Sequence, residues 1–257
     1  MYPTIFVGDK YQKLNRVYSA MDAMGLNPIT WRKEVQPFDL QIEAWIDSSK
    51  GVISFQTRKG TNNTDNPDES RIDTNDLVFF DKLGLFVRKV DKSTTPYNYS
   101  NRPLYPYPDP NAFPGTKSGS VAEASALETV FGGSLTLKTG NITLFDSVKA
   151  ARFRKLPDNP YAVATTSPVA NAVHASFNLD NILYEFAQVF CLYGNQNYTF
   201  DLTFGTGDRL IADGSYDGGG TAIAALGTRN QLVLIAQGYK VVGGAGAALN
   251  ADFGGKY

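Results

Sequence analysis

The sequence predicts an all-β protein, an antiparallel β-sandwich. Three observations carry that reading: apolar and polar residues alternate with period two in many short segments, polar or proline-rich stretches separate those segments, and only two short runs keep a helical period. The 257 residues suit one large β domain or two small ones, and a 42% hydrophobic share with 19% charged residues supplies enough apolar surface for a packed core.

The first helical run covers residues 9–26, where Leu14, Val17, Tyr18 and Met21 share one face and Gly25, then Asn27-Pro28, stop it. Its stripe is expected to cover the chain's own body or a neighbouring subunit. From Phe38 the period becomes two: Phe38, Leu40, Ile42, Ala44 and Ile46 alternate with Asp39, Gln41, Glu43 and Asp47. Ser48-Ser49-Lys50-Gly51 reads as a turn into residues 52–58, which predicts a hairpin. After a polar loop over 60–76, strand signals resume at 77–80 and 83–90.

Residues 93–119 hold six of the 13 prolines together with Tyr97, Tyr99, Tyr105, Tyr107 and Phe113. Proline donates no ladder hydrogen bond, so this stretch is expected to be an irregular arm held down by its aromatic rings. Ser120-Val-Ala-Glu123 matches a capping box and predicts a short inserted helix ending near Phe131, before Gly132-Gly133. Strands are then expected at 134–138, 141–145, 183–193, 198–204 and 231–242, with fainter signals at 162–165 and 173–178. Gly194-Asn195-Gln196-Asn197 reads as a tight hairpin turn.

The organisation that follows is an N-terminal helical arm at 1–34, a sandwich at 35–245 carrying the arm 93–119, and a flexible Gly/Ala-rich tail at 246–257. Many short antiparallel strands with long irregular connections favour the jelly-roll type of sandwich. The apolar phase of the strands assigns Leu40, Ile42, Phe79, Leu85, Leu137, Phe186, Phe200, Leu202 and Leu234 to its core.

A net charge of −1, from 24 basic and 25 acidic residues, excludes a global field that would draw the chain to nucleic acid or an anionic membrane. The single cysteine, Cys191, has no internal disulfide partner and reads as a small buried hydrophobe. With one histidine, His174, a zinc site of His and Cys ligands is excluded, and no serine has the G-x-S-x-G setting of an exposed nucleophile. The glycine-rich stretches at 205–207, 218–220 and 243–246 lack the order of a phosphate cradle. Asp213, Ser215 and Asp217 resemble the opening of a calcium loop, but the twelfth place falls on Ala224, so a polar turn is the better reading. Asp65, Asp68 and Glu69 form a similar acidic loop. No cofactor or metal is therefore expected.

Arg152-Phe153-Arg154-Lys155 gathers cations suited to touching nucleic acid packed beside it, although a solvated face or an intersubunit salt bridge is the simpler reading. The start, MYPTIFVGDK, lacks the pattern of a secretory signal, and no apolar run has the length of a transmembrane segment. The tripeptides at Asn62, Asn98, Asn141 and Asn197 then reflect only Asn and Thr in turns and strands.

The order of features resembles a bacteriophage capsid-type jelly-roll protein over residues 35–245: an N-terminal helix, a proline-tyrosine excursion, GSLTLKTG at 133–140 followed by ARFRKLP at 151–157, and late strands at 198–204 and 231–242. The resemblance implies a non-enzymatic coat or accessory subunit, made in the host cytoplasm and located in the virion. Such a subunit acts by burying surface against copies of itself and other virion proteins. Tyr97, Tyr99, Tyr105, Tyr107 and Phe113 of the arm, with Leu14, Val17 and Met21 of the helix, are the expected assembly contacts. Two other readings stay open: a carbohydrate- or receptor-binding sandwich of a fibre or spike, supported by the tyrosines, and a glycosidase-like enzyme, supported only by the fold class.

Overall fold

The period-two segments become eight strands: β1 (Val35–Trp45), β2 (Val52–Gln56), β3 (Leu77–Asp91), β4 (Ser134–Thr139), β5 (Ile142–Lys149), β6 (Tyr184–Tyr193), β7 (Tyr198–Thr203) and β8 (Thr228–Val241). The computed structural model describes residues 9–27, 35–46, 51–58, 69–91, 104–108, 113, 122–154, 182–204 and 228–245. Four strands form sheet 1 in the order β1-β8-β3-β6, and four form sheet 2 in the order β2-β7-β4-β5. Every pairing is antiparallel. The pairs nest: β1 lies beside β8, β2 beside β7, β3 beside β6 and β4 beside β5, while β8 and β7 also bond β3 and β4.

Because side chains alternate across a strand, each sheet turns one apolar set inward. Leu40, Ile42, Leu85, Val87, Leu232 and Leu234 of sheet 1 meet Ile53, Phe55, Leu135, Leu137, Phe200 and Leu202 of sheet 2. Seven of the nine predicted core residues lie there buried, and Phe186 is half-buried at the margin. There it joins a ring cluster in which its centroid lies 5.0 Å from Phe190 and 5.9 Å from Phe145.

Phe79 is a correction. It is buried, but beneath the N-terminal helix on the opposite face of sheet 1. The sequence shows two runs, 77–80 and 83–90, where the fold has one strand with a bulge at Asp81, between Phe80 and Lys82. One inserted residue flips the side-chain phase, so Val78 and Phe80 point inward before the bulge and Leu83, Leu85 and Val87 after it. Gly238 lies opposite, where a Cβ would come within 1.9 Å of the Phe79 carbonyl oxygen, so only glycine fits.

Helix α1 (Asp9–Ala23) ends as the sequence indicates. Gly25 adopts φ 73°, Leu26 N–H donates to the Met21 carbonyl at 2.9 Å, and Gly25 N–H donates to that of Asp22 at 3.0 Å, which is the Schellman arrangement. Val17, Met21 and Leu26 then pack on Leu77, Phe79, Val241 and Ala245.

Helix α2 (Glu123–Phe131) lies close to its predicted span, but its start is a second correction. Its N-cap is Ala122, with no side-chain cap hydrogen bond, so Glu123 is the first helical residue and not the third residue of a capping box. Ala126, Leu127, Val130 and Phe131 plug the sandwich interior.

The hairpins expected at 48–51 and 194–197 are corrected as well. β1 and β2 belong to different sheets, as do β6 and β7, so both connections cross the sandwich. Turn residues reverse the chain without specifying which sheet the next strand joins. Among the described residues a hairpin does form at β4–β5, turning at Gly140 with φ 53°. The faint strands at 162–165 and 173–178 and the tail 246–257 lie outside the described residues.

Candidate functional site

The described part of the proline-tyrosine arm lies on the chain's own body. Tyr105 exchanges two backbone hydrogen bonds of 2.9 Å with Val87, beyond the point where β6 stops pairing with β3. Its ring stands edge-on to Phe113 with centroids 5.4 Å apart, and Phe113 is buried in the sandwich core with Lys89 Nζ 5.6 Å from its ring. Tyr107 is half-buried, and Tyr97 and Tyr99 lie outside the described residues. In α1, Val17 and Met21 are buried inside the chain and Leu14 is half-buried. Of the eight expected assembly contacts, Val17, Met21 and Phe113 thus face inward in the single chain.

The basic group divides. Arg152 is exposed, Phe153 enters the core, and Arg154 is held by both carboxylate oxygens of Glu128 at 2.8 and 2.7 Å and lies 5.1 Å from the Phe131 ring centre. Lys155, His174, Asp213, Ser215 and Asp217 lie outside the described residues, as do Asp65 and Asp68. Glu69, the described member of the acidic loop, pairs with Arg71 at 2.9 Å.

Sequence alternation misses two buried charge groups. On the outer face of sheet 1, Glu43 of β1 pairs with Arg88 of β3 at 2.6 Å, and Gln231 of β8 bridges them by accepting from Arg88 Nε at 2.7 Å and donating to Glu43 at 3.3 Å. On the inner side, Glu123 at the start of α2 accepts from Asn230 Nδ2 at 2.7 Å and from Lys89 Nζ at 2.8 Å. The one sequence signal was the Arg88-Lys89 pair inside an apolar run. Period two placed Glu43 on a wet face, but that face is covered around it and Arg88: Phe86, Ile182, Leu183, Val233 and Ile235 form a second buried cluster there.

Chemically these groups are ion pairs braced by the neighbouring amides of Gln231 and Asn230. Glu43 and Glu123 sit on opposite faces of one sheet, so they cannot flank a common bond as a carboxylate pair would. Cys191 is half-buried beside the α1 cluster, and desolvation pushes its thiol up to about 12, far from a reactive thiolate. Burial likewise raises Tyr198, whose hydroxyl donates to Gln196 at 2.9 Å. Among the described residues, no group of three or more His, Cys, Asp or Glu side chains is placed to hold a metal ion. None of their helices is long and apolar enough to cross a membrane.

Sheet 2 presents the wet face. Ser54, Asp201 and Thr136 align across β2, β7 and β4, with Ser54 Oγ donating to Asp201 at 2.6 Å and Lys138 pairing with the same carboxylate. Among the described residues the exposed large hydrophobics are Val52, Ile142 and Leu144, all on the edge strands of this sheet. β5 is bulged twice, and Ser147 adopts φ 49° there, with its N–H donating to Thr136 Oγ1 at 3.1 Å.

No protein-family model, curated protein or solved structure matches this chain.

Proposed function

We propose that the chain is a virion structural protein of jelly-roll type, a capsid or accessory coat subunit that works by self-assembly. The observation that carries this reading is the nested pairing of eight strands, β1 with β8, β2 with β7, β3 with β6 and β4 with β5. A long antiparallel ribbon paired in this way and rolled, so that β8 meets β3 and β7 meets β4, makes a two-sheet jelly roll. Viral capsid domains use this architecture, and so do lectins and cupins.

Two features favour the coat subunit over the other occupants of the fold. A sugar-binding module needs exposed aromatic faces, whereas here Phe113 is buried and Tyr105 stands against it. A glycosidase needs opposed carboxylates across one cleft, whereas Glu43 and Glu123 are separated by a sheet and neutralised by Arg88 and Lys89. The partners are then copies of this chain and other virion proteins, with Arg152 the exposed cation nearest to a role against packaged nucleic acid.

Fold alone does not give function, so the test reads assembly itself. Mass photometry and negative-stain imaging of the purified protein are expected to find rings, trimers or shells. A monomer at every concentration, with saturable binding to a glycan array, would refute the coat reading and favour the fibre or spike module.

A further inference from the structure

β1 is the longest of the four edge strands, with 11 residues against 5, 8 and 10 in β2, β5 and β6. A long free edge invites another chain, and native sheets blunt it. β5 carries its two bulges, and β6 sets four residues, 186–189, against the single Asp81 of β3. β1 pairs with β8 from Val35 to Trp45 without a register shift, so its protection must come from elsewhere.

It comes from residues 69–72. The Ile46 N–H donates to Asn230 of β8, so the even-numbered amides of β1 face the sheet and the odd-numbered ones face away. Pro37 has no N–H to present in that outward phase. Gln41 N–H donates to the Ser70 carbonyl at 3.1 Å, and Ser70 N–H returns a bond to Gln41 at 3.0 Å. Glu43 N–H donates to the Glu69 carboxylate at 2.9 Å. Arg71 grips both oxygens of that carboxylate at 2.9 Å and donates to the Arg58 carbonyl at 3.2 Å. Beyond it, Ile72 N–H donates to Thr57 at 3.0 Å, and the Ile72 side chain is buried in the sandwich core.

We propose that residues 69–72 are an edge guard, a strap latched by Glu69 and Arg71 that keeps β1 from pairing with a strand of a second copy. A carboxylate satisfies an edge amide without offering the next rung of a ladder, whereas a strand in the same place would extend the sheet. The guard therefore closes one route of association and leaves other surfaces to any specific assembly.

The test is Glu69→Ala, followed by residue-resolved hydrogen exchange and light scattering across a concentration series, always against the parent at equal concentration. Gln41 and Glu43 amides are expected to exchange at least about tenfold faster in dilute solution. Raising the concentration is expected to restore their protection as the variant associates beyond the parent. Adding Gln41→Pro, which removes an outward donor and no bond to β8, is expected to abolish that extra association. If Glu69→Ala does not fold, as judged by circular dichroism, Arg71→Met releases the latch and carries the same readouts. Parental exchange rates overturn the proposal, as does faster exchange without new association, or association that survives Gln41→Pro. All readouts are differences from the parent, so they hold whether or not the parent builds a shell.

Discussion

Replacing Arg88 by Met removes the cation from a pair whose side chains are 4% and 0% exposed and whose charged atoms are 2.6 Å apart. The Glu43 carboxylate would keep the amide donors of Gln41 at 3.0 Å and Gln231 at 3.3 Å but lose the Arg88 charge. A buried carboxylate left in that state costs about 3–5 kcal/mol. For a domain of this size each kcal/mol moves the melting temperature about 2–4 °C, so Arg88→Met is expected to melt roughly 6–20 °C below the parent. Glu43→Gln combined with Arg88→Met removes both charges and is expected to recover most of the loss. Calorimetry and urea melts of the two singles and the double complete a mutant cycle. A cost below about 1 kcal/mol for Arg88→Met, or additive costs in the double, would show that water reaches the pair and that sheet 1 is not covered there.

Phe200→Ala is expected to cost about 3–5 kcal/mol because the ring is fully buried between the sheets; a urea-melt loss under about 1 kcal/mol would mean it faces outward. Phe79→Ala opens a void under α1, so hydrogen exchange is expected to rise in residues 9–23 and not in β7; equal rises in both would contradict the bulge at Asp81. The Cys191 thiol rises in the fold to about 12, so its stabilising effect is present below about pH 9 and lost as pH climbs toward 12. Labelling at pH 8 is therefore expected to be slow natively and fast in denaturant, and equal rates would refute the burial. Deleting residues 97–112 with a Gly/Ser closure removes the Tyr105 bridge to Val87, which is expected to lower the melting temperature while the body still folds and to weaken the oligomer. A deletion variant that assembles like the parent removes the arm from the contact.

What the sequence determined by itself was local. Alternation located β1, β2 and β4 to β8 and the buried phase of Leu40, Ile42, Leu137, Phe200 and Leu202, because a strand with one face in a core must repeat every second residue. Gly25 marked the end of α1 because the Schellman turn needs positive φ. Tertiary structure decided everything that depends on a distant neighbour. The turn residues at 48–51 and 194–197 join strands of different sheets, because the partners of β1 and β2 are β8 and β7, far along the chain. The bulge that turns Phe79 toward α1 exists only in relation to β8 and β6. Glu123, read as a cap, became the partner of Lys89 and Asn230, and Glu43, read as part of a wet face, became half of a buried pair with Arg88. Periodicity records which residues share a face; what covers that face is settled only when the rest of the chain folds over it.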